Sequence, residues 1–125
     1  MTDDGKRVLI VEDDYFIALY LASEVAEAGG KVAGVARNVE AALDIIANEE
    51  VDGAIVDVNL MGEWTFRVAD ALTARQIPFA FATAISRDDV PPRYATVPWL
   101  QKPFLLGAVS RFLDGMTHPA QKDRC

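Results

Sequence analysis

Apolar positions along the chain alternate between two patterns. Val8 to Val11 is an unbroken apolar run that stops at Glu12, Asp13 and Asp14, as expected of a strand buried on both faces and followed by a polar turn. Ile17, Leu21, Val25 and Ala28 then recur at helical spacing until Gly29-Gly30, a pair that ends helices because glycine enters the left-handed region without a steric penalty. The unit repeats. Val32 to Ala36 reads as a second short strand, and Asn38 as the N-cap of a helix whose apolar face is Val39, Ala42, Leu43 and Ile46. Ala54 to Val56 leads into Asp57, a Gly-containing loop from Asn59 to Gly62, and a helix with Phe66, Ala69 and Leu72 inward. Phe79 to Ala82 is a fourth apolar run, ending at Thr83.

A fourth helix is due next, but Pro91, Pro92 and Pro98 fall within Ile85 to Pro98. Prolines lack amide protons and push their predecessors out of helical geometry, so any helix there is held to one or two turns beginning near Asp88. Trp99 to Gln101 makes a fifth strand. After Lys102-Pro103, a stiff corner at which an X-Pro pair has the cis bond open to it, Leu105, Ala108, Val109, Phe112, Leu113 and Met116 mark the face of a final helix. Thr117 to Cys125 reads as a frayed tail. Strands alternating with helices predict an α/β fold, a doubly wound five-stranded parallel sheet covered on both faces.

Length and composition narrow the function. The 125 residues, 51% hydrophobic and 25% charged, suit one globular domain over 1–125, with a core from 6 to 116 and a tail from 117 to 125. Output is therefore expected through a partner. A net charge of −7 argues against nucleic acid and against an anionic membrane surface. Cys125 is the one cysteine, which precludes an internal disulfide and suits a reducing compartment. No apolar run reaches the roughly 18 residues of a membrane span, and Met1 to Arg7 is too polar for a signal peptide, so the cytoplasm is the expected location.

In an open α/β sheet the functional crevice lies beyond the carboxyl ends of the strands. Glu12 and Asp13 follow the first strand, Asp57 ends the third, Thr83 the fourth, and Lys102 follows the fifth. If the first and third strands are neighbours, three carboxylates converge, and their repulsion calls for a cation. All-oxygen ligands favour a hard ion, and an open carboxylate site is the kind in which Mg2+ keeps waters and accepts a phosphate oxygen. A threonine hydroxyl and a lysine on the opposite rim complete a pocket for a phosphoryl group, with Asp57 as its nucleophile. Met singly, these residues have plainer readings: Asp13 or Asp14 as a helix N-cap, Thr83 as a strand-end hydroxyl on the backbone, Lys102 as a solvated charge. His118, beside Pro119, and Cys125 are read as inert, and Trp64 as packing loosely over the start of the third helix.

The segments Val-Leu-Ile-Val-Glu-Asp-Asp (8–14), Ala-Ile-Val-Asp-Val-Asn-Leu (54–60), Phe-Ala-Thr-Ala (81–84) and Gln-Lys-Pro-Phe (101–104) resemble the receiver domain of two-component response regulators, in order and spacing, over Lys6 to Met116. The resemblance implies a flavodoxin-like sheet of order 2-1-3-4-5. It implies a phosphoacceptor role for Asp57 and Mg2+ held by Asp13, Asp57, the main-chain carbonyl of Asn59 and, through water, Glu12. Thr83 and Lys102 would bind the phosphoryl group, and Trp99 stands where the family places its switch aromatic. Gly62-Glu63, residues 68–72, residues 77–83 and Leu100 to Phe104 look most like the stand-alone FAT GUY receivers, known mainly from alphaproteobacteria and linked to HWE-type sensor histidine kinases. The chain departs from that group at Ala84-Ile85, where a glycine and an aromatic are usual, and at Met61, where a second glycine is usual. The implied partners are a sensor histidine kinase and a downstream protein target.

Two other classes fit the residues less well. A small Mg2+-dependent phosphohydrolase would need a second carboxylate two residues after Asp57, where Asn59 stands. A flavodoxin-like cofactor binder would want Gly, Ser and Thr after the first strand, where the turn is acidic.

Overall fold

The computed structural model describes residues 5–104 and 107–117. Its elements are β1 (Arg7–Val11), α1 (Tyr15–Glu27), β2 (Lys31–Ala36), α2 (Val39–Asn48), β3 (Gly53–Val56), a hairpin of β4 (Asn59–Leu60) and β5 (Glu63–Trp64), α3 (Phe66–Ala74), β6 (Phe79–Thr83), β7 (Trp99–Gln101) and α4 (Ala108–Thr117). The main sheet is parallel throughout and ordered β2-β1-β3-β6-β7, which is 2-1-3-4-5 counting its own five strands, as expected of a flavodoxin-like fold. Alternate residues of each strand face opposite sides. Leu9, Val11, Val56 and Phe81 pack with α2 and α3, while Val8, Ile10, Ile55 and Ala80 pack with α1 and α4. On that second side α4 comes close enough that a Cβ at Gly53 would lie 1.8 Å from Met116 Sδ, so any larger residue at the start of β3 would require the methionine side chain to move. Among the described residues no helix is long and apolar enough to cross a membrane.

Local chemistry sets the helix ends. Asp14 caps α1, accepting from the Phe16 and Ile17 amides, and Asn38 caps α2 through the Ala41 amide. Gly29, at φ 86°, turns the chain out of α1. The proline-rich segment forms two single 3-10 turns, Arg87–Asp89 and Pro92–Tyr94, and no longer helix. The Asn59 to Gly62 segment differs from expectation: it is the centre of a hairpin, not a plain loop. Met61 and Gly62 turn it at φ 51° and 97°, the type I′ pattern, and Asn59 Oδ1 accepts the Gly62 amide at 2.7 Å. Thr117 still belongs to α4, so the helix runs one residue into the expected tail. Leu105, His118 and Cys125 lie outside the described residues. Lys102-Pro103 is cis.

Candidate functional site

Strand pairing delivers the acidic residues to one edge. The Glu12 amide donates to Ala36 O and the Asp57 amide to Val11 O, each continuing the ladder one step past the strand end. Glu12, Asp13 and Asp57 thereby offer carboxylate oxygens all within 4.8 Å of one another. Glu12 and Asp57 are buried, and Asp13 is half-buried. Asp14 points away as the α1 cap, so the N-cap reading holds for Asp14 and not for Asp13.

Lys102 is not a solvated charge. Its Nζ lies 2.7 Å from Glu12 Oε1 and 2.9 Å from Asp57 Oδ2, with the lysine side chain 13% exposed. The remaining oxygens are also engaged: Glu12 Oε2 accepts the Asp14 amide and Asp57 Oδ1 the Asn59 amide. Burial raises the Glu12 pKa above its usual value, and the hydrogen bonds from Lys102 and the Asp14 amide offset that only in part. Burial works against the Lys102 ammonium as well, but its bonds to Glu12 and Asp57 prevail and hold its pKa above the ordinary lysine value. The edge thus carries more negative charge than one lysine neutralises.

The β6 and β7 ends close the other rim. Thr83 O accepts the Lys102 amide at 2.9 Å and Gln101 Nε2 at 3.2 Å, which ties the two strand ends together. The Thr83 hydroxyl accepts the Ile85 amide at 3.2 Å. Asn59 directs its side chain into the hairpin turn. Trp99 lies half-exposed on β7, edge-on to Phe81, with the Arg87 guanidinium 4.9 Å above its ring. Trp64 stacks on Phe66 at 5.5 Å, over the start of α3 as expected. A groove of about 890 Å³, lined by Phe79, Pro98 and Phe112 among others, opens at the opposite edge and contains none of these groups.

Two polar residues near the site were not singled out by sequence pattern. Thr65 is fully buried with its hydroxyl against the carbonyls of Asp57 and Val58. Tyr94 is buried with its phenol 2.5 Å from Asp70 Oδ1. A threonine just before an apolar helix face is a visible cap signal, whereas nothing local marks Tyr94.

No family model matches the chain. The solution structure of SdrG from Sphingomonas melonis Fr1 is similar at 39% identity and a TM-score of 0.78, covering 90% of this chain and 96% of that one. The receiver domain of the response regulator PhyR from Erythrobacter litoralis is similar at 26% identity and a TM-score of 0.75, covering 90% and 89%. Transcriptional regulatory protein PdtaR of Mycobacterium tuberculosis is 29% identical over 119 residues, which is 86% of this chain. The chain spans 58% of the length of that curated relative. With nearly the whole of SdrG matched, the parallel sheet in the order 2-1-3-4-5 and the acidic residues gathered at its carboxyl edge, the chain belongs to the receiver domains of response regulators.

Proposed function

We propose that the chain accepts a phosphoryl group from the phosphohistidine of a sensor histidine kinase onto Asp57 and signals by protein contact within a two-component phosphorelay. The observation that carries this reading is the Lys102 ammonium bridging Glu12 and Asp57 at the carboxyl edge of the sheet. In the transfer, an Asp57 carboxylate oxygen bonds to phosphorus as the phosphorus–nitrogen bond breaks, and the imidazole keeps that electron pair. Lys102, hydrogen-bonded to Asp57, would pair with the new phosphoryl charge, and the Thr83 hydroxyl would bind one of its oxygens. The donor set suits Mg2+: it is all oxygen, its carboxylates lie within 4.8 Å of one another, and burial leaves Glu12 short of counter-charge. Asp13, Asp57, the Asn59 carbonyl and, through water, Glu12 would hold the ion. When bound it supplies positive charge beside the incoming phosphoryl oxygens.

The kinase is read as HWE-type from the FAT GUY resemblance. The target is read as meeting the face built from β6, β7 and α4, with Trp99 as the aromatic that responds. Acetyl phosphate with Mg2+ tests the acceptor: intact mass should rise by one phosphoryl group in the wild type and not in Asp57→Asn. Equal labelling of both would overturn the assignment.

A further inference from the structure

Thr65 stands at the N-cap of α3 but does not cap it: its side chain makes no hydrogen bond to the helix amides. Threonine in that place ordinarily accepts from the second or third amide of the helix. Here the hydroxyl faces the other way, 2.6 Å from Asp57 O and 3.0 Å from Val58 O, in complete burial. A hydroxyl carries one proton, so it donates to one carbonyl at a time, and the shorter contact is with Asp57. The Thr65 amide already donates to Val58 O at 2.9 Å, so the Val58 carbonyl has a partner without the hydroxyl. For the Asp57 carbonyl the hydroxyl is the partner. The Asp57 amide is meanwhile tied to Val11 O. Asp57 is therefore held at both of its peptide groups, and its side chain leaves from between them toward Lys102 and the Asn59 amide.

We propose that Thr65 is a positioning residue for Asp57: its hydroxyl fixes the peptide that leaves Asp57, so that the carboxylate meets the incoming phosphorus in a reactive orientation. This rests on Asp57 being the phosphoacceptor. With the cap bond forgone, the hydroxyl's contacts among the described residues are these two carbonyls, the shorter being with Asp57. Orientation of a nucleophile acts on the rate of bond formation more than on the capture of a small donor.

The experiment compares Thr65→Val, which keeps the shape and loses the hydroxyl, with Thr65→Ser, which keeps the hydroxyl. Phosphorylation by acetyl phosphate in Mg2+ should show a maximal rate lowered roughly ten- to a hundredfold in the valine variant. The half-saturating acetyl phosphate concentration should be unchanged, and serine should restore most of the rate. A folded valine variant with the wild-type rate overturns the proposal. So does a chain that fails to fold as both Thr65→Val and Thr65→Ala, because the hydroxyl is then a requirement of folding. If the wild type takes no label on Asp57, the phosphoacceptor reading falls by itself. The 13C resonance of the Asp57 carboxyl group then decides: displacement in valine and not in serine supports the positioning role, and an unmoved resonance overturns it.

Discussion

Lys102 Nζ lies 2.7 Å from Glu12 Oε1, although the two residues are 90 positions apart in the chain. Glu12 is 2% exposed, so removing the ammonium leaves a buried carboxylate without its main counter-charge. Breaking such a pair from one side costs about 3 kcal/mol. Lys102→Met should lose that much stability in chelator and regain a large part of it in excess Mg2+, where the ion replaces the ammonium beside Glu12. Urea denaturation with and without Mg2+ measures this, and equal losses in both would contradict a cation site there.

The raised pKa of Glu12 sets a sign for pH dependence. Between its ordinary value of 4.5 and its raised folded value, the folded chain holds a proton that the unfolded chain has released. Stability from this group is therefore full at low pH and declines as pH rises through that window. In chelator, the wild type should lose stability relative to Glu12→Gln as pH climbs above 4.5, and the difference should then level off. A difference that grows in the opposite direction would refute the burial argument.

Tyr94 links the proline-rich segment to α3. Its phenol donates to Asp70 Oδ1, its ring stacks on Phe66 and meets Phe81 edge-on, and the Arg93 guanidinium lies over it. Burial, then the bond to Asp70, pushes its pKa up to about 12. Ultraviolet titration should show one tyrosine ionising near that value, and Tyr94→Phe should abolish the step. The variant keeps the ring and should lose about 1 kcal/mol with the hydrogen bond.

Apart from the Tyr94 and Arg93 ties to Asp70, the Phe81 amide on Pro98 O and the packing of Ile85, Val90 and Val97 on the core, the backbone of segment 85–98 is held by short-range bonds such as Asp89 N to Ser86 O and Ala95 N to Pro92 O. A segment so held opens at low cost. Its amides should exchange fast in the resting protein and slow with beryllofluoride and Mg2+, as the Thr83 hydroxyl leaves the Ile85 amide for a phosphoryl-like oxygen. Strong protection at rest would count against reordering as the switch.

The strands, the caps at Asp14 and Asn38, and the broken fourth helix were legible because each rests on local rules: apolar runs, a carboxylate or amide before a helix, prolines within one. The placement of Glu12, Asp13, Asp57, Thr83 and Lys102 along one edge followed from sheet topology alone. What sequence did not reveal depends on distant partners or on unusual backbone. Met61 at positive φ carries none of the Asn-Gly signal of a tight hairpin, so the pattern over β4 and β5 reads as loop. Thr65 looks like a cap until the position of the Asp57 carbonyl is known, and Tyr94 needs Asp70, 24 residues away, to explain its burial.

Asp57 is the proposed carrier of the phosphoryl group. Borohydride reduces an aspartyl phosphate to homoserine, so treating the chain with acetyl phosphate and Mg2+, then borohydride, and mapping its peptides reads the residue directly. Homoserine is expected at position 57, dependent on Mg2+ and absent from untreated protein. Homoserine at Asp13 or elsewhere, with Asp57 intact, would contradict it.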